Sequence, residues 1–355
     1  MKGTKAILLI LLALVLAAVP ACSPREPANK PPVKYEAEFM NLFDTLSRVI
    51  GYADSQEAFQ EIVSDLKDDL EVYHQLYDIY KSYPGLTNLK DVNDRAGQGP
   101  IPVDRKIIDL LLYAKEAYEL TDGKVNIALG SVLRIWHDYR GQGILDPASA
   151  RLPDRALLEE ADLHTRFEDL IIDEAAGTVE LKDPLMSLDV GAVAKGYAVE
   201  QAALAVEGRG VGHLLISVGG NVRAIGARND QGDPWHVGIE NPDHTVADYL
   251  AILDIAGLSV VTSGVYERFY LVDGKAYHHI IDPDTLFPED RYLSVSIVTP
   301  DSGMADVLST ALLNLDLEKG KALIEGLAGT EALWCLNDGE LVQSSGFAGY
   351  LKKTD

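Results

Sequence analysis

The clearest indication of the fold class comes from Leu214-Leu-Ile-Ser-Val-Gly-Gly-Asn-Val-Arg-Ala-Ile225. Two apolar, β-prone runs at 214–218 and 222–225 flank paired glycines, a pattern typical of two strands joined by a tight turn. The glycines are interpreted either as a hairpin bend or as a close approach of the backbone to a flat ligand. In the second case Arg223 could meet a phosphate or a carboxylate.

Short strand-like runs of this kind recur along the chain from Asp169 onward. Further strands are predicted at 170–172, 179–181, 235–239, 250–255, 259–262, 268–272 and 295–298, with a hairpin at 332–342. Helical spacing of apolar residues predicts helices at 55–83, with Asp54 as N-cap, and at 107–120, 192–206 and 304–313. Strands and helices do not alternate as a doubly wound parallel sheet requires. The predicted fold class is therefore α+β, a largely antiparallel β-sheet core with flanking helices.

Charge and composition restrict the function. The chain has 355 residues, 31 Lys+Arg against 55 Asp+Glu, a formal net charge of −24 and 47% hydrophobic residues. This is too apolar for a disordered acidic tail, and too acidic for a nucleic-acid binder with a basic surface. Nucleic acid is therefore excluded as a partner.

The N-terminus has the features of an export signal. Lys2 and Lys5 precede an apolar run over 6–18, too short to span a bilayer, and Ala21 precedes Cys22. The arrangement resembles the lipobox of bacterial lipoproteins, so Cys22 is the predicted lipidation site; an ordinary cleaved signal with a chance cysteine is the alternative. The predicted organisation is a lipoprotein signal peptide at 1–21, a proline-rich tether at 22–35 and a single domain at 36–351.

A second glycine-containing stretch, at 187–199, runs from a short strand into a helix. Gly191 allows a close backbone approach, the helix start offers free N–H groups to an anion, and Lys195 adds positive charge. The stretch is a candidate phosphate site. Plain architecture at a strand-to-helix turn is the competing interpretation.

Two histidines and an aspartate mark a candidate reaction centre. His278 and His279 are adjacent in a strand-like run, so they are expected to face opposite sides. Histidine is suited to moving a proton near neutral pH, and Asp282 is predicted to orient His279 or to share its task. A satisfied core histidine is the alternative.

The helix predicted at 304–313 carries a candidate cation site. Asp306 and Thr310 are four residues apart and therefore share one face of the helix. Oxygen-only ligation suits Mg²⁺, which prefers phosphate oxygens and water as its remaining ligands. The alternative is that Asp306 only favours the positive end of the helix dipole.

Taken together, the order and spacing of these stretches resemble the ApbE family, the FAD:protein FMN transferases, over nearly all of the chain after the tether. The matching stretches are 43–45, 126–136, 189–196, 218–223, 262–268, 279–285 and 305–310. One departure is Leu286, where the family often has glycine. The resemblance implies an ApbE-like fold.

The resemblance also implies roles for individual residues. Mg²⁺ would be held by the backbone carbonyl of Ala192 and the side chains of Asp306 and Thr310, and His279 would serve the reaction. FAD, the substrate, would lie along the following residues: Ala128, Leu129, Gly130, Asp189, Lys195 and Ile280. Phe43 and Tyr80 are candidates for an N-terminal flavin contact.

The implied reaction is Mg²⁺-dependent transfer of FMN from FAD to a Thr or Ser hydroxyl of an exported flavoprotein, such as a subunit of a membrane redox complex, with release of AMP. His279 would act as base. The expected location is extracytoplasmic, with the protein anchored to the bacterial membrane by lipid. An FAD pyrophosphatase that gives FMN and AMP, and a flavin-binding lipoprotein without catalysis, are the alternatives. The sequence contains Asp306, Thr310 and His279 together, which favours an enzyme over a flavin-binding lipoprotein without catalysis.

Overall fold

A computed structural model describes residues 33–353. The signal peptide, Cys22 and most of the tether lie outside the described residues. In the described part, the strands are β1 (Val33–Leu42), β2 (Thr45–Ala53), β3 (Ile101–Pro102), β4 (Leu170–Asp173), β5 (Thr178–Leu181), β6 (Leu214–Val218), β7 (Asn221–Ile225), β8 (Trp235–Glu240), β9 (Tyr249–Ile255), β10 (Ser259–Gly264), β11 (Phe269–Val272), β12 (Lys275–His278), β13 (Tyr292–Thr299), β14 (Glu331–Leu336) and β15 (Leu341–Gln343). The α-helices are α1 (Gln56–Tyr77), α2 (Leu89–Asp94), α3 (Arg105–Leu120), α4 (Gly130–Leu145), α5 (Arg155–Asp162), α6 (Ala194–Gly208), α7 (Ser302–Asn314) and α8 (Leu317–Glu325).

An eight-stranded sheet organises the molecule, in the order β1-β2-β6-β7-β10-β13-β14-β15. Every neighbouring pair in it is antiparallel. A small three-stranded sheet and two separate hairpins, β8–β9 and β11–β12, complete the strands. The α+β class with a largely antiparallel core is confirmed.

Both faces of the large sheet are covered, which explains why its central strands read as continuous apolar runs. Alternation along β10 shows the two sides: Val261 packs with α7, whereas Val260 packs under the β8–β9 hairpin around Trp235. Helices α1 and α6 extend the first layer over β2 and β6. Helix α4 and the β11–β12 hairpin share a further cluster around Trp136 and Leu286.

The N-terminal part differs most from the sequence-based expectation. Strand β1 begins at Val33, so residues 33–35 belong to the domain and not to the tether. Helix α1 is capped by Ser55, whose Oγ accepts a hydrogen bond from the Ala58 amide at 3.1 Å, and not by Asp54. It ends at Tyr77 because the Asp78 carboxylate accepts the backbone N–H of Tyr80 at 2.7 Å and turns the chain.

Within residues 33–353, no helix combines the length and apolar character that crossing a bilayer requires.

Candidate active site

A cavity of about 820 Å³ opens where α6, α7, the turn between β1 and β2 and the end of the β11–β12 hairpin meet. Such a volume lies in the range of small-molecule and cofactor sites. The residues predicted from the sequence that line it are Phe43, Tyr80, Leu129, Asp189, Ala192, Lys195, His279, Ile280, Asp306 and Thr310. Segments more than 250 residues apart in the chain are thus brought to one site.

Ala128 and Gly130 do not line the cavity; they are buried behind it. Gly130 begins α4, where any Cβ would collide with the carbonyl oxygen of Ser187. This glycine therefore lets α4 approach residues 187–188, where the short strand expected before α6 is only an isolated bridge between Leu129 and Ser187. Of the predicted 128–130 contact, only Leu129 faces the site.

The turn before α6 is held by its own side chain and by the neighbouring backbone. Asp189 Oδ1 accepts the Gly191 amide at 2.9 Å, and the Asp189 amide donates to the carbonyl of Ile127 at 2.8 Å. Lys195, in the first turn of α6, donates to the Asn221 side-chain oxygen and lies 3.7 Å from Asp306 Oδ1. The predicted positive charge is therefore present in the cavity, beside the predicted metal ligand.

Asp306 is buried, and its Oδ2 accepts the backbone N–H of Gly196 at 2.8 Å. The cap of α7 is Asp301, which accepts the amides of Gly303 and Met304. Asp306 lies beyond the first turn of α7, where the helix dipole has little effect on a carboxylate. The dipole therefore does not explain why an aspartate stands at this position. Its carboxylate faces the cavity together with the hydroxyl-bearing Thr310 and with Ala192.

Gly196 is required by the close crossing of α6 and α7. A Cβ there would lie 2.5 Å from the Cβ of Asp306 and closer still to the Ser302 carbonyl oxygen. The glycine thus fixes how near the Asp306 helix comes to Lys195.

Arg223 meets a carboxylate and not a ligand phosphate. Its Nε and Nη2 lie 2.9 and 3.2 Å from the two oxygens of Glu200, with both side chains buried away from the cavity. Glu200 also accepts the Ser302 amide at 2.8 Å, so the pair ties β7 and α6 to the start of α7. At the β6–β7 turn, a Cβ on Gly219 would lie 2.5 Å from Thr45 Oγ1. The paired glycines therefore form a hairpin bend that is also a close approach to Thr45, and Gly219 lines the cavity as well.

His278 and His279 face different sides, as expected. His278 Nε2 donates to the Glu289 carbonyl at 2.8 Å and its Nδ1 accepts the Ile280 amide, which makes it structural. His279 lines the cavity, and its Nδ1 is buried without a hydrogen-bond partner among the described residues. Burial, followed by the charges of Arg268 and Arg140, lowers the pKa of His279 to about 3. The imidazole is therefore neutral, and in the absence of a bound anion the lowered pKa makes it a weak proton acceptor.

The prediction that Asp282 orients His279 is wrong. The buried Asp282 carboxylate lies 2.7 Å from the Lys124 ammonium, which also reaches Asp284 at 2.7 Å. A buried carboxylate is stabilised by such a cation, and the nearest one comes from the turn after α3. Lys124 lines the cavity, whereas Asp282 supports the loop after His279 from behind.

Two aromatic pairs stand at the N-terminal side of the cavity. Phe43 packs edge-on against His74, with ring centroids 5.4 Å apart, and the Tyr80 hydroxyl shares a 3.1 Å hydrogen bond with His137 Nδ1. Both pairs line the cavity, as a flavin contact requires. Their roles toward a ligand remain predictions.

Lys124, His137 and Arg268 are cavity residues that the sequence did not single out for a role. Arg268 stands within a quoted motif, but one sequence does not reveal which charged residue of a loop turns inward. Leu286 has a positive φ of 62°, the left-handed region that favours glycine, which gives a physical reason for glycine at this place in the family. Here the buried Leu286 side chain fills the cluster around Trp136, whose Nε1 donates to the Leu286 carbonyl.

The fold is α+β, with helices on one face of its sheet. The nucleotide-sized cleft combines oxygen ligands with cationic side chains. These are features of the class of proteins that bind phosphate-containing cofactors. The chain belongs to the ApbE family, whose family model matches residues 43–334. The resemblance noted in the sequence is thereby confirmed.

Individual relatives agree. An FAD:protein FMN transferase of Klebsiella pneumoniae (strain 342) is 34% identical over 261 residues, which cover 73% of this chain and 78% of the relative. One of Treponema pallidum (strain Nichols) is 32% identical over 329 residues, 88% of each chain. The crystal structure of the ApbE protein from Thermotoga maritima superposes with a TM-score of 0.77 at 28% identity, covering 90% of this chain and all of the other. The apo flavinyl transferase ApbE of Pseudomonas stutzeri, at 23% identity and a TM-score of 0.75, shows the fold alone.

Proposed function

We propose that the protein is an FAD:protein FMN transferase, which moves FMN from FAD to a Thr or Ser hydroxyl of a target protein and releases AMP. The observation that carries the proposal is the convergence of Lys195, His279, Asp306 and Thr310 on one nucleotide-sized cavity. A flavin-binding protein without catalysis has no need of all four. The relatives that cover most of the chain are named for the same activity.

Mg²⁺ is the proposed metal, held by Asp306, Thr310 and the Ala192 carbonyl. All three line the cavity and all offer oxygen, the ligand atom that Mg²⁺ prefers. Among residues 33–353, no cluster of three or more His, Cys, Asp or Glu side chains could hold a metal ion by itself. A single carboxylate suits an ion that completes its shell with water and phosphate oxygens. When bound, it would polarise the phosphoryl group and offset charge on the diphosphate.

The protein's own groups perform the rest of the reaction. Lys195 adds positive charge beside Asp306, where the diphosphate is expected. Neutral His279 accepts the proton of the attacking hydroxyl as its oxygen bonds to the phosphorus of the FMN half. The P–O bond to the AMP half breaks, and AMP leaves with the bridging oxygen. Asp282 takes no part in proton transfer, because it is paired with Lys124.

We further propose that the target is an exported flavoprotein, such as a subunit of a membrane redox complex, and that the enzyme is extracytoplasmic. Cys22 would carry the lipid anchor. Cys22→Ser should move the protein from the membrane fraction to the soluble fraction of cells. An unchanged membrane fraction in that variant contradicts lipid anchoring at Cys22.

The experiment that tests the activity follows both products of FAD in the presence of Mg²⁺ and a candidate acceptor domain. Transfer predicts AMP release matched by acceptor-bound FMN, and loss of both with a chelator. AMP with only free FMN identifies a pyrophosphatase, and no turnover rejects both enzymatic activities. Thr310→Val should impair turnover and raise the Mg²⁺ requirement, whereas Thr310→Ser, which keeps the hydroxyl, is the matched control.

A further inference from the structure

Two arginines stand beside His279 without an assigned role. Arg140 lies on α4, one turn after the cavity residue His137 and on the same side of the helix, but does not itself line the cavity. Arg268 immediately precedes β11 and lines the cavity itself. The β11–β12 hairpin brings Arg268 and His279 together, because it begins after the first and ends just before the second.

Neither guanidinium has a carboxylate within ion-pair distance in the described part of the chain, although most of the other described arginines do. In a chain with 55 acidic against 31 basic residues, carboxylate partners are abundant. Burial and then the charge of Arg268 lower the pKa of Arg140, and burial and then both arginines lower the pKa of His279, so the charges of the three groups act on one another. Asp189 acts on Arg140 in the opposite direction, and the cavity residue Glu267 interacts with Arg268, but neither carboxylate lies within ion-pair distance of either guanidinium.

Like charges gathered beside a buried histidine nitrogen that has no partner are unfavourable unless an anion joins them. We infer that Arg140, Arg268 and His279 form an anion site that takes the phosphoryl group of FAD destined to become the phosphate of FMN. The site is distinct from the Asp306 and Lys195 group, which comes from α7 and α6.

The choice of a phosphate rests on the proposed function, because the transferred phosphoryl group must lie beside the base. Guanidinium groups bind phosphate oxygens through paired, charge-assisted hydrogen bonds. In phosphoryl transfer, such groups stabilise charge on the non-bridging oxygens while the P–O bond to AMP breaks. A bound anion also weakens the field of the two arginines at His279 and makes the imidazole a better proton acceptor when substrate is present.

The test compares equilibrium binding of FMN and riboflavin, which differ only in one phosphate, by titration of flavin fluorescence without acceptor. The purified protein should bind FMN more tightly than riboflavin. Arg268→Gln and Arg140→Gln should each weaken FMN binding about 10-fold or more, and riboflavin binding little. Arg268→Lys should retain part of the preference. Arg134→Gln, an exposed arginine on α4, is the matched control and should change neither affinity.

Circular dichroism and urea unfolding identify variants that have lost the fold, and Arg268→Lys then replaces Arg268→Gln. An unchanged ratio of FMN to riboflavin affinity in the folded Gln variants overturns the anion site. The anion site is also overturned if the Gln variants raise only the KM for the acceptor, because the arginines would then bind a carboxylate of the acceptor. If the native protein prefers FMN and the Gln variants lose that preference, the anion site is supported. If the native protein also labels no acceptor, the transferase activity is rejected while the anion site stands.

Discussion

Gly196→Ala tests whether the crossing of α6 and α7 positions the candidate metal ligand. Gly196 lies in the first turn of α6, where its amide donates to Asp306 Oδ2 at 2.8 Å. An added Cβ would meet the Cβ of Asp306 at 2.5 Å, and backbone at Ser302 on the same side. These neighbours belong to one helix, so they must move together.

The magnitude follows from the missing space. Carbon atoms rest about 3.5–4.0 Å apart, so α7 must retreat from α6 by roughly 1 Å. Overpacking of this kind costs about 1–3 kcal/mol in unfolding free energy. A displacement of about 1 Å in a reacting group can lower turnover about 100-fold. We therefore expect a folded but destabilised protein with strongly reduced activity and a raised Mg²⁺ requirement.

Urea unfolding followed by circular dichroism measures the stability, and AMP release at several Mg²⁺ concentrations measures the activity. Gly208→Ala is the matched control, since it lies at the other end of the same helix with nothing within 4 Å of the added Cβ. That variant should be stabilised by up to about 1 kcal/mol and remain active. If Gly196→Ala matches Gly208→Ala in stability and turnover, the crossing does not position Asp306.

Three further predictions concern the loop around His279. Lys124→Met should lower the unfolding free energy by about 3 kcal/mol, because the buried Asp282 carboxylate loses its cation, and Lys124→Arg should recover most of it in urea unfolding. Leu286→Gly should lower the unfolding free energy by about 1 kcal/mol less than Leu286→Ala does. Both remove the buried leucine side chain, but only glycine tolerates the positive φ without strain, and the reverse order of stabilities contradicts this reason. Because the His279 pKa is about 3 when folded and 6.5 in the unfolded reference, the unfolded chain binds more protons between these values and stability falls as pH drops from 6.5 toward 3. His279→Gln should reduce this slope by up to about 1.4 kcal/mol per pH unit, and equal slopes in thermal or urea unfolding refute the shift.

The sequence predicted the fold well wherever local pattern and burial agree. Runs with apolar residues on both faces, such as β10 and β13, and turns with glycine, such as that between β6 and β7, indicate strands directly. The hairpin of β1 and β2 was missed because Phe43 and Asp44 form its turn with positive φ, without the glycine that marks such turns. Helices α4, α5 and α8 were not predicted, since their burial depends on partners distant in sequence.

The residues of the candidate site were predicted from motifs. The wrong predictions concern which side chains form ion pairs with each other. Asp306, Thr310, Lys195 and His279 converge because each lies where a helix or strand end meets the cleft. The partner of Asp282 is Lys124, 158 positions away, and no local spacing indicates such a contact.

Transfer of FMN to protein by this cavity can be measured as a change in the intact mass of a purified acceptor domain. The acceptor is incubated with FAD, Mg²⁺ and either the native enzyme or Asp306→Asn, which keeps an oxygen for the Gly196 amide but lacks the charge. We expect the acceptor to gain the mass of one FMN with the native enzyme and none with the variant. Equal labelling by both proteins would contradict the role of Asp306, and no labelling by the native enzyme, while AMP and free FMN accumulate, would contradict protein flavinylation.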